Sequence, residues 1–290
     1  MQVMVPYGGG EEQVSIHGDR FLGVLAAALP EPEDEQALLQ NALSAPLNAG
    51  SLPTFAAAGE RVLVLVNDAT RPTPTARMLN TIWDDIKAWD LGFLVATGTH
   101  RSPSEDECRR IFGGLWEEER GRVKVHNARD EGSLAHIGTT SSGTEVYINR
   151  LAAEAGKILV LSSVEPHYFA GYTGGRKIFL PGISAFNTIE QNHYHAMSAD
   201  ARALAVEGNP VNRDMDEALE FLDGKDIFSL MAVMDRERRV CHAAAGDLEK
   251  AFSSCAQKVD ELFAVEIGEQ ADIVLAVATQ SRVPDRPWVL

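Results

Sequence analysis

One stretch of the chain shows a strand, a helix and a second strand in succession: residues 61–101 are RVLVLVNDATRPTPTARMLNTIWDDIKAWDLGFLVATGTHR. The unbroken Val and Leu run of Arg61–Val66 is typical of a strand that is buried on both faces. Thr75–Trp89 is predicted to be a helix, because one stripe of it carries Met78, Leu79, Ile82, Trp83 and Ile86. Leu91–Thr97 is predicted to be the next strand.

The same alternation continues along the rest of the chain. Further strands are predicted at Arg122–His126, Glu145–Ile148, Lys157–Ser162, Ile227–Met234 and Asp272–Ala278. Further helices are predicted over residues 31–44, 102–118, 185–197, 212–222 and 247–265, and residues 2–16 are predicted to form a strand, a turn and a strand. Alternating strands and helices predict an α/β fold, with a mostly parallel sheet and helices on both faces.

The carboxyl end of the chain predicts a second domain that is cut short. Residues 279–290 contain two prolines and no helical pattern, so no helix would cover the last predicted strand. We therefore expect one domain over residues 1–265, and the truncated start of a C-terminal domain over residues 266–290.

Composition and charge exclude several classes of function. The chain has 290 residues, 45% of them hydrophobic, and a formal net charge of −16. Such an acidic surface repels phosphate backbones and anionic lipids, so neither nucleic acid nor a membrane is an expected partner. The three cysteines, Cys108, Cys241 and Cys255, fit no zinc motif and no disulfide framework. Without a signal peptide or an apolar run of about 20 residues, the sequence predicts a cytoplasmic protein.

Three unusual segments follow predicted strands, at the sheet edge where parallel α/β sheets bind ligands. Residues 67–74, NDATRPTP, open a helix, whose free N–H groups suit a phosphate or carboxylate, and Arg71 adds further donors. Residues 96–101, ATGTHR, place His100 after a turn at Gly98. A capped loop and a structural histidine are the alternative interpretations of these two segments.

The third segment, residues 165–182, reads EPHYFAGYTGGRKIFLPG. Its glycines let bare backbone approach a phosphate, and Lys177 could reach that phosphate or act as a nucleophile. The segment matches neither the P-loop nor the dinucleotide-binding pattern, and a simple glycine-rich turn remains possible. We expect it to be a surface loop, so that Lys177→Ala leaves the fold intact. Residues 192–195, NHYH, hold two histidines that do not share a helix face, so spacing alone does not establish a metal centre.

Together these segments resemble the nickel-dependent lactate racemase family over most of the chain, up to about residue 278. The matching motifs are DATRPTP at 68–74, GTHR at 98–101, HYFAGYTGGRK at 167–177 and NH at 192–193. The resemblance implies a nickel-pincer nucleotide cofactor, held covalently through a thioamide on Lys177, with His193 as the protein's ligand to nickel. It implies further that His100 and His167 are an acid/base pair, facing each other across one cleft beside Arg71, which binds the substrate carboxylate.

By the same resemblance, Asp68 anchors the cofactor, and Thr70, Thr73, Gly174 and Gly175 contact it. The implied reaction is racemisation or epimerisation of a 2-hydroxy acid such as lactate, in which a base takes the hydroxyl proton while hydride leaves the carbon reversibly. Two other functions stay open: a nucleotide- or phosphate-binding module without turnover, and, with less support, a zinc hydrolase. Because the family's second domain closes the site, we expect this chain alone to bind cofactor weakly and to racemise slowly.

Overall fold

A computed structural model describes residues 2–7, 10–16, 21–26, 28–265 and 267–276, without the side chains of residues 6 and 7. The chain divides into two compact units. One comprises the described residues within Met1–Ala27 and Ala264–Leu290, and the other comprises Ala28–Phe263. The predicted domain boundary at residues 265–266 stays a prediction.

The first unit contains the antiparallel hairpin predicted near the amino terminus, formed by β1 (Gln2–Tyr7) and β2 (Gly10–Ser15). The predicted strand at Asp272–Ala278 is wrong for residues 272–276, and its last two residues lie outside the described part. An apolar run becomes a strand only where a neighbouring strand accepts its backbone hydrogen bonds, and residues 272–276 pair with none of the described strands.

The second unit contains the remaining strands and all the described α-helices. The strands are β3 (Arg61–Asn67), β4 (Asp90–Ala96), β5 (Val123–Val125), β6 (Leu134–Thr139), β7 (Glu145–Asn149), β8 (Lys157–Ser163), β9 (Pro166–His167), β10 (Gly171–Tyr172), β11 (Asp226–Met234) and β12 (Val240–Gly246). The helices are α1 (Glu35–Ser44), α2 (Thr75–Ile86), α3 (Glu105–Phe112), α4 (Trp116–Glu119), α5 (Arg150–Glu154), α6 (Phe186–Tyr194), α7 (Pro210–Glu220) and α8 (Leu248–Phe263).

A six-stranded sheet organises this unit, in the order β12-β11-β8-β3-β4-β5. Every neighbouring pair is parallel except β11 and β12, which are antiparallel. The predicted α/β class and the mostly parallel sheet are therefore confirmed.

Two apolar cores lie on opposite faces of the sheet. In β3, Val62, Val64 and Val66 face one core, and Leu63 and Leu65 face the other. The first core takes buried side chains from α1, α2 and α3, and the second takes them from α5, α6, α7 and α8. Helices on both faces explain why β3 is apolar at successive positions instead of at alternate ones.

The glycine-rich segment is not the surface loop that the sequence predicts. All the residues of 171–180 are buried, and Ile178, Phe179 and Leu180 belong to the core that α7 and α8 cover. The short hairpin of β9 and β10 introduces this segment. The polar residues of this segment are therefore packed against the core. Lys177→Ala would leave a cavity there, contrary to the expectation that this substitution leaves the fold intact.

Candidate active site

The three predicted segments meet at one edge of the sheet. β3 lies between β4 and β8, all three run parallel, and each segment follows one of these strands. The Thr73 hydroxyl lies 2.7 Å from the Ser163 hydroxyl, which joins the first segment to the end of β8. The Gly98 amide donates to the Gly182 carbonyl over 2.8 Å, which joins the second segment to the third.

Asp68 and His100 form a hydrogen-bonded pair at this edge. His100 Nδ1 lies 2.8 Å from Asp68 Oδ2, and the Asp68 side chain is buried whereas that of His100 is 46% exposed. The other carboxylate oxygen accepts the Thr70 hydroxyl at 2.7 Å and the Thr70 amide at 3.2 Å. Both oxygens of Asp68 are therefore engaged by protein groups, and the pair holds His100 at the rim.

Lys177 is buried, with 7% of its surface exposed. Burial lowers the pKa of its amine to about 7, and the charges of Arg71 and Arg176 act in the same direction. No acidic side chain among the described residues forms an ion pair with it, and its Nζ lies 5.5 Å from the centre of the Phe169 ring. Near neutral pH, a large fraction of this amine is uncharged and therefore nucleophilic.

His167 is half-buried in β9 and is uncharged near neutral pH. Burial, Lys177, Arg71 and His193, in that order, lower its pKa to about 2. Its Nδ1 accepts the Ala170 amide over 3.2 Å. Among the described residues, the hydrogen bonds of the His100 side chain go to Asp68 and Thr70, and none goes to His167.

His193 lies on α6, and its ring centre is 5.0 Å from that of Phe169. Burial and Lys177 lower its pKa to about 4, against the opposite effect of the Ile189 carbonyl. Its Nδ1 is buried and has no hydrogen-bond partner among the described residues. The Phe169 ring contacts Lys177, His167 and His193, and so holds these groups of the predicted site together.

The remaining predicted residues lie around the same loops. Arg71 is half-buried, and its side chain makes no hydrogen bond or ion pair with the described residues, so its donors are available to a ligand. Thr73 also donates to Asn67, at 2.9 Å. A Cβ on Gly174 would lie 2.7 Å from the Ser163 carbonyl oxygen, and one on Gly175 would lie 2.8 Å from the Phe252 ring. Local packing thus accounts for both glycines.

The sequence analysis assigned no role to Glu165, which the structure places in the same charged cluster. Its Oε1 is buried without a hydrogen-bond partner among the described residues. Burial raises the pKa of this carboxyl, although Arg71 and Arg238 pull the pKa down. The signal that could have found it is its place directly after a buried strand, in the segment that contains His167.

We expect Glu165→Gln to stabilise the chain as the pH rises. Folding raises the pKa of Glu165, so above about pH 4.3 the folded state holds this proton more tightly than the unfolded state does. The chain therefore loses stability as the pH rises from about 4.3 to the folded pKa. Glutamine copies the protonated form and removes this loss. Chemical denaturation at pH 5 and pH 8 measures the effect.

Glu217 provides the matched control, because hydrogen bonds from Ser141 lower its pKa. Glu217→Gln should therefore cost stability by nearly the same amount at pH 5 and pH 8, because both lie above the unfolded pKa of about 4.3. Equal effects of pH on the two variants would contradict a raised pKa of Glu165.

A second polar cluster, also missed in the sequence, supports α6 from behind. Asp214 is fully buried on α7 and accepts Thr140 at 2.6 Å, Thr144 at 3.0 Å and Asn192 at 2.9 Å. His195 Nε2 lies 3.9 Å from the same carboxylate. These contacts tie α6, which carries His193, to α7 and to the turn between β6 and β7.

The described residues contain no group of three or more His, Cys, Asp or Glu side chains that could hold a metal ion by themselves. In the same part of the chain, no helix is both long and apolar enough to cross a membrane.

Comparison with known proteins gives one consistent family. A family model for the lactate racemase N-terminal domain matches residues 7–205. Lactate racemase of Thermoanaerobacterium thermosaccharolyticum is 32% identical over 283 residues, and that of Lactiplantibacillus plantarum is 29% identical over 294. The matches cover 94% and 97% of this chain but 65% and 67% of those relatives, so the chain spans about two thirds of their length.

Solved structures agree with the sequence matches. The lactate racemase apoprotein of T. thermosaccharolyticum superimposes with a TM-score of 0.81 at 30% identity, covering 90% of this chain and 63% of that one. A Thermotoga maritima protein superimposes with a TM-score of 0.66 at 22% identity, covering 80% of this chain and 60% of that one, and shows the fold alone.

Proposed function

The chain belongs to the lactate racemase family defined by this N-terminal domain, and from that premise we propose that it is the cofactor-binding part of a 2-hydroxy acid racemase or epimerase that uses a nickel-pincer nucleotide. The observation that carries the proposal is the buried Lys177, whose lowered pKa leaves a nucleophilic amine beside the uncharged His193. A binding module without turnover is less well supported, because both relatives are lactate racemases.

The donor groups fit such a cofactor. The described residues provide no set of three metal ligands, so a nickel ion held by them would need further donors. A nucleotide that brings its own sulfur and carbon donors meets that need, with one histidine completing the set. The Nδ1 of His193, which has no hydrogen-bond partner among the described residues, supports this role for the side chain. Lys177 would hold the group covalently through a thioamide.

When bound, the cofactor would supply the acceptor for the hydride that leaves the substrate carbon. The chain's own residues would perform the remaining tasks. Arg71, whose donors are unpaired, would bind the carboxylate of a lactate-like substrate. His100 and His167 would act on the substrate hydroxyl, and the buried Asp68 would orient His100 as well as border the cofactor. Thr70, Thr73, Gly174 and Gly175 remain candidates for contact with the phosphate.

The test is mass spectrometry of the intact chain and of its proteolytic peptides, with protein produced in cells that make the cofactor. We expect added mass on the peptide that contains Lys177, with nickel in equal amount, and no added mass on Lys177→Arg. The loaded protein should then interconvert D- and L-lactate in a chirality assay. An adduct on another lysine, or an equal amount of adduct on Lys177→Arg, would contradict the covalent role.

A further inference from the structure

Two arginines come from the strands on either side of Glu165, at the edge of the sheet that holds the proposed site. β8 lies between β3 and β11, and all three strands run parallel, so their carboxyl ends meet at this edge. Arg71 follows β3, Glu165 follows β8, and Arg238 lies in the turn that follows β11. The charges of both arginines reach the Glu165 carboxyl and pull its pKa down. The three side chains therefore form one charged group.

No member of this group forms a side-chain ion pair or hydrogen bond with the described residues. The contrast within one turn is sharp, because Arg239 pairs with Asp235 and Glu237 whereas Arg238 pairs with no acid there. The chain has 42 acidic residues and 26 basic ones, so acidic partners are plentiful. Oε1 of Glu165 is buried without a partner, and such an atom costs stability until a ligand satisfies it.

The backbone holds Arg238 in a conformation that suits glycine better. Arg238 has φ +63°, in the left-handed region that a residue with a Cβ adopts only at a cost. The buried Asp235 fixes the turn, since it accepts the amides of Glu237 and Arg239 at 2.8 and 3.0 Å. Arg77 of α2 donates to the Arg238 carbonyl over 3.3 Å and ties the turn to the neighbouring helix. Backbone strain of this kind is typical of positions whose side chain serves a ligand.

We propose that Arg238 binds a second oxyanion, in addition to the substrate carboxylate that Arg71 binds, with Glu165 between the two. The role of Arg71 here rests on the proposed function. Neighbouring strands lie about 4.8 Å apart, so the ends of β3 and β11 are separated by about 10 Å, which two arginine side chains and a small ligand can span. The second oxyanion is either a second carboxylate of the hydroxy acid or the phosphate of the nucleotide. Lactate has one carboxylate and would leave Arg238 unused.

Glu165 suits its place between the arginines when it keeps its proton. Burial raises the pKa of its carboxyl, and a bound oxyanion would raise that pKa further by repulsion. A protonated carboxyl can donate one hydrogen bond to the ligand, whereas an ionised one only accepts. With Glu165 neutral, the group carries the two positive charges of its arginines. It can therefore attract a dianion locally, although the chain as a whole has a net charge of −16.

NMR titrations of the cofactor-free chain, at fixed ionic strength, distinguish the two sources of the second oxyanion. One arm compares malate, which has two carboxylates, with lactate. The other compares nicotinamide mononucleotide with nicotinamide riboside, which lacks the phosphate. In one arm we expect the ligand with the extra oxyanion to bind about tenfold more tightly, the value of one hydrogen bond to a charged group. The net charge of −16 repels that ligand more strongly, so general electrostatics cannot produce this preference.

Two variants of the same turn locate the effect. Arg238→Gln should reduce the preference to within about twofold. Arg236→Gln is the matched control and should keep the preference, because it removes the same charge from the same turn but from a side chain that does not act on Glu165. A preference in neither arm would overturn the proposal. So would a preference that survives Arg238→Gln, or one that both variants abolish equally.

Arg238→Gly tests whether the arginine is kept at a cost. Glycine adopts φ +63° freely, so this variant should raise the urea midpoint of the cofactor-free chain while losing the preference for the extra oxyanion. A lower midpoint would show that the Arg238 side chain supports the fold, and would overturn its assignment to a ligand. These titrations need no cofactor and no turnover. A failed search for the Lys177 adduct would therefore refute the proposed function and leave the binding result to stand or fall separately.

Discussion

Lys177→Met is expected to make the cofactor-free chain more stable, by about 5 kcal/mol at pH 6, while abolishing any covalent cofactor. Folding lowers the pKa of Lys177 from 10.5 to about 7, at about 1.4 kcal/mol for each pKa unit. Below pH 7 the amine is charged in both states, so the folded chain bears the full cost of burying that charge. Methionine fills nearly the same volume without a charge.

The advantage of Lys177→Met depends on pH. Because the folded pKa is depressed, the cost of Lys177 falls as the pH rises from 7 to about 10.5, where the amine is neutral in both states. The advantage of Lys177→Met should therefore shrink over that range, as measured by denaturation at pH 6, 8 and 10. Lys157 is the control: its ion pair with Asp226 raises its pKa, so Lys157→Met should cost stability. A destabilised Lys177→Met chain at pH 6 would show that the amine is not held at a cost.

The sequence correctly predicts those strands and helices whose pattern of apolar residues matches the faces that the fold buries. Arg61–Val66 and Leu91–Thr97 differ from β3 and β4 by a single residue at their ends. The predicted helix from Thr75 ends at Ile86 instead of Trp89. The helix predicted from residue 102 begins at Glu105, because the capping box forms between Ser104 and Glu107.

Other features depend on contacts that a single chain segment does not reveal. Strand β12 contains the sequence Cys-His-Ala-Ala-Ala, which has low strand propensity. It forms a strand because it pairs antiparallel with β11. The burial of residues 171–180 follows from the helices α7 and α8 that cover them. Charged neighbours reach Lys177 and Glu165 from separate segments, so no local pattern could indicate their shifted pKa values.

Gly174→Ala is expected to destabilise the cofactor-free chain, by about 2–5 kcal/mol. Gly174 has φ +76°, a left-handed conformation that costs a residue with a Cβ about 1–2 kcal/mol. The added Cβ would also lie 2.7 Å from the Ser163 carbonyl oxygen and 2.8 Å from a Val164 methyl group, and relieving such overpacking costs about 1–3 kcal/mol. The Gly174 carbonyl accepts the Lys177 amide, so any shift of Gly174 also displaces the proposed nucleophile.

Gly143→Ala separates the two costs, because Gly143 has φ +84° and no atom within 4 Å of a Cβ placed on it. Both variants lose stability through the backbone conformation, but only Gly174→Ala adds the clash. Urea denaturation of the cofactor-free chain should therefore show a clearly larger loss for Gly174→Ala. Equal losses of stability would mean that the loop around Gly174 moves to accommodate the Cβ at little cost. Gly174 would then be needed for the approach of a ligand and not for packing against β8.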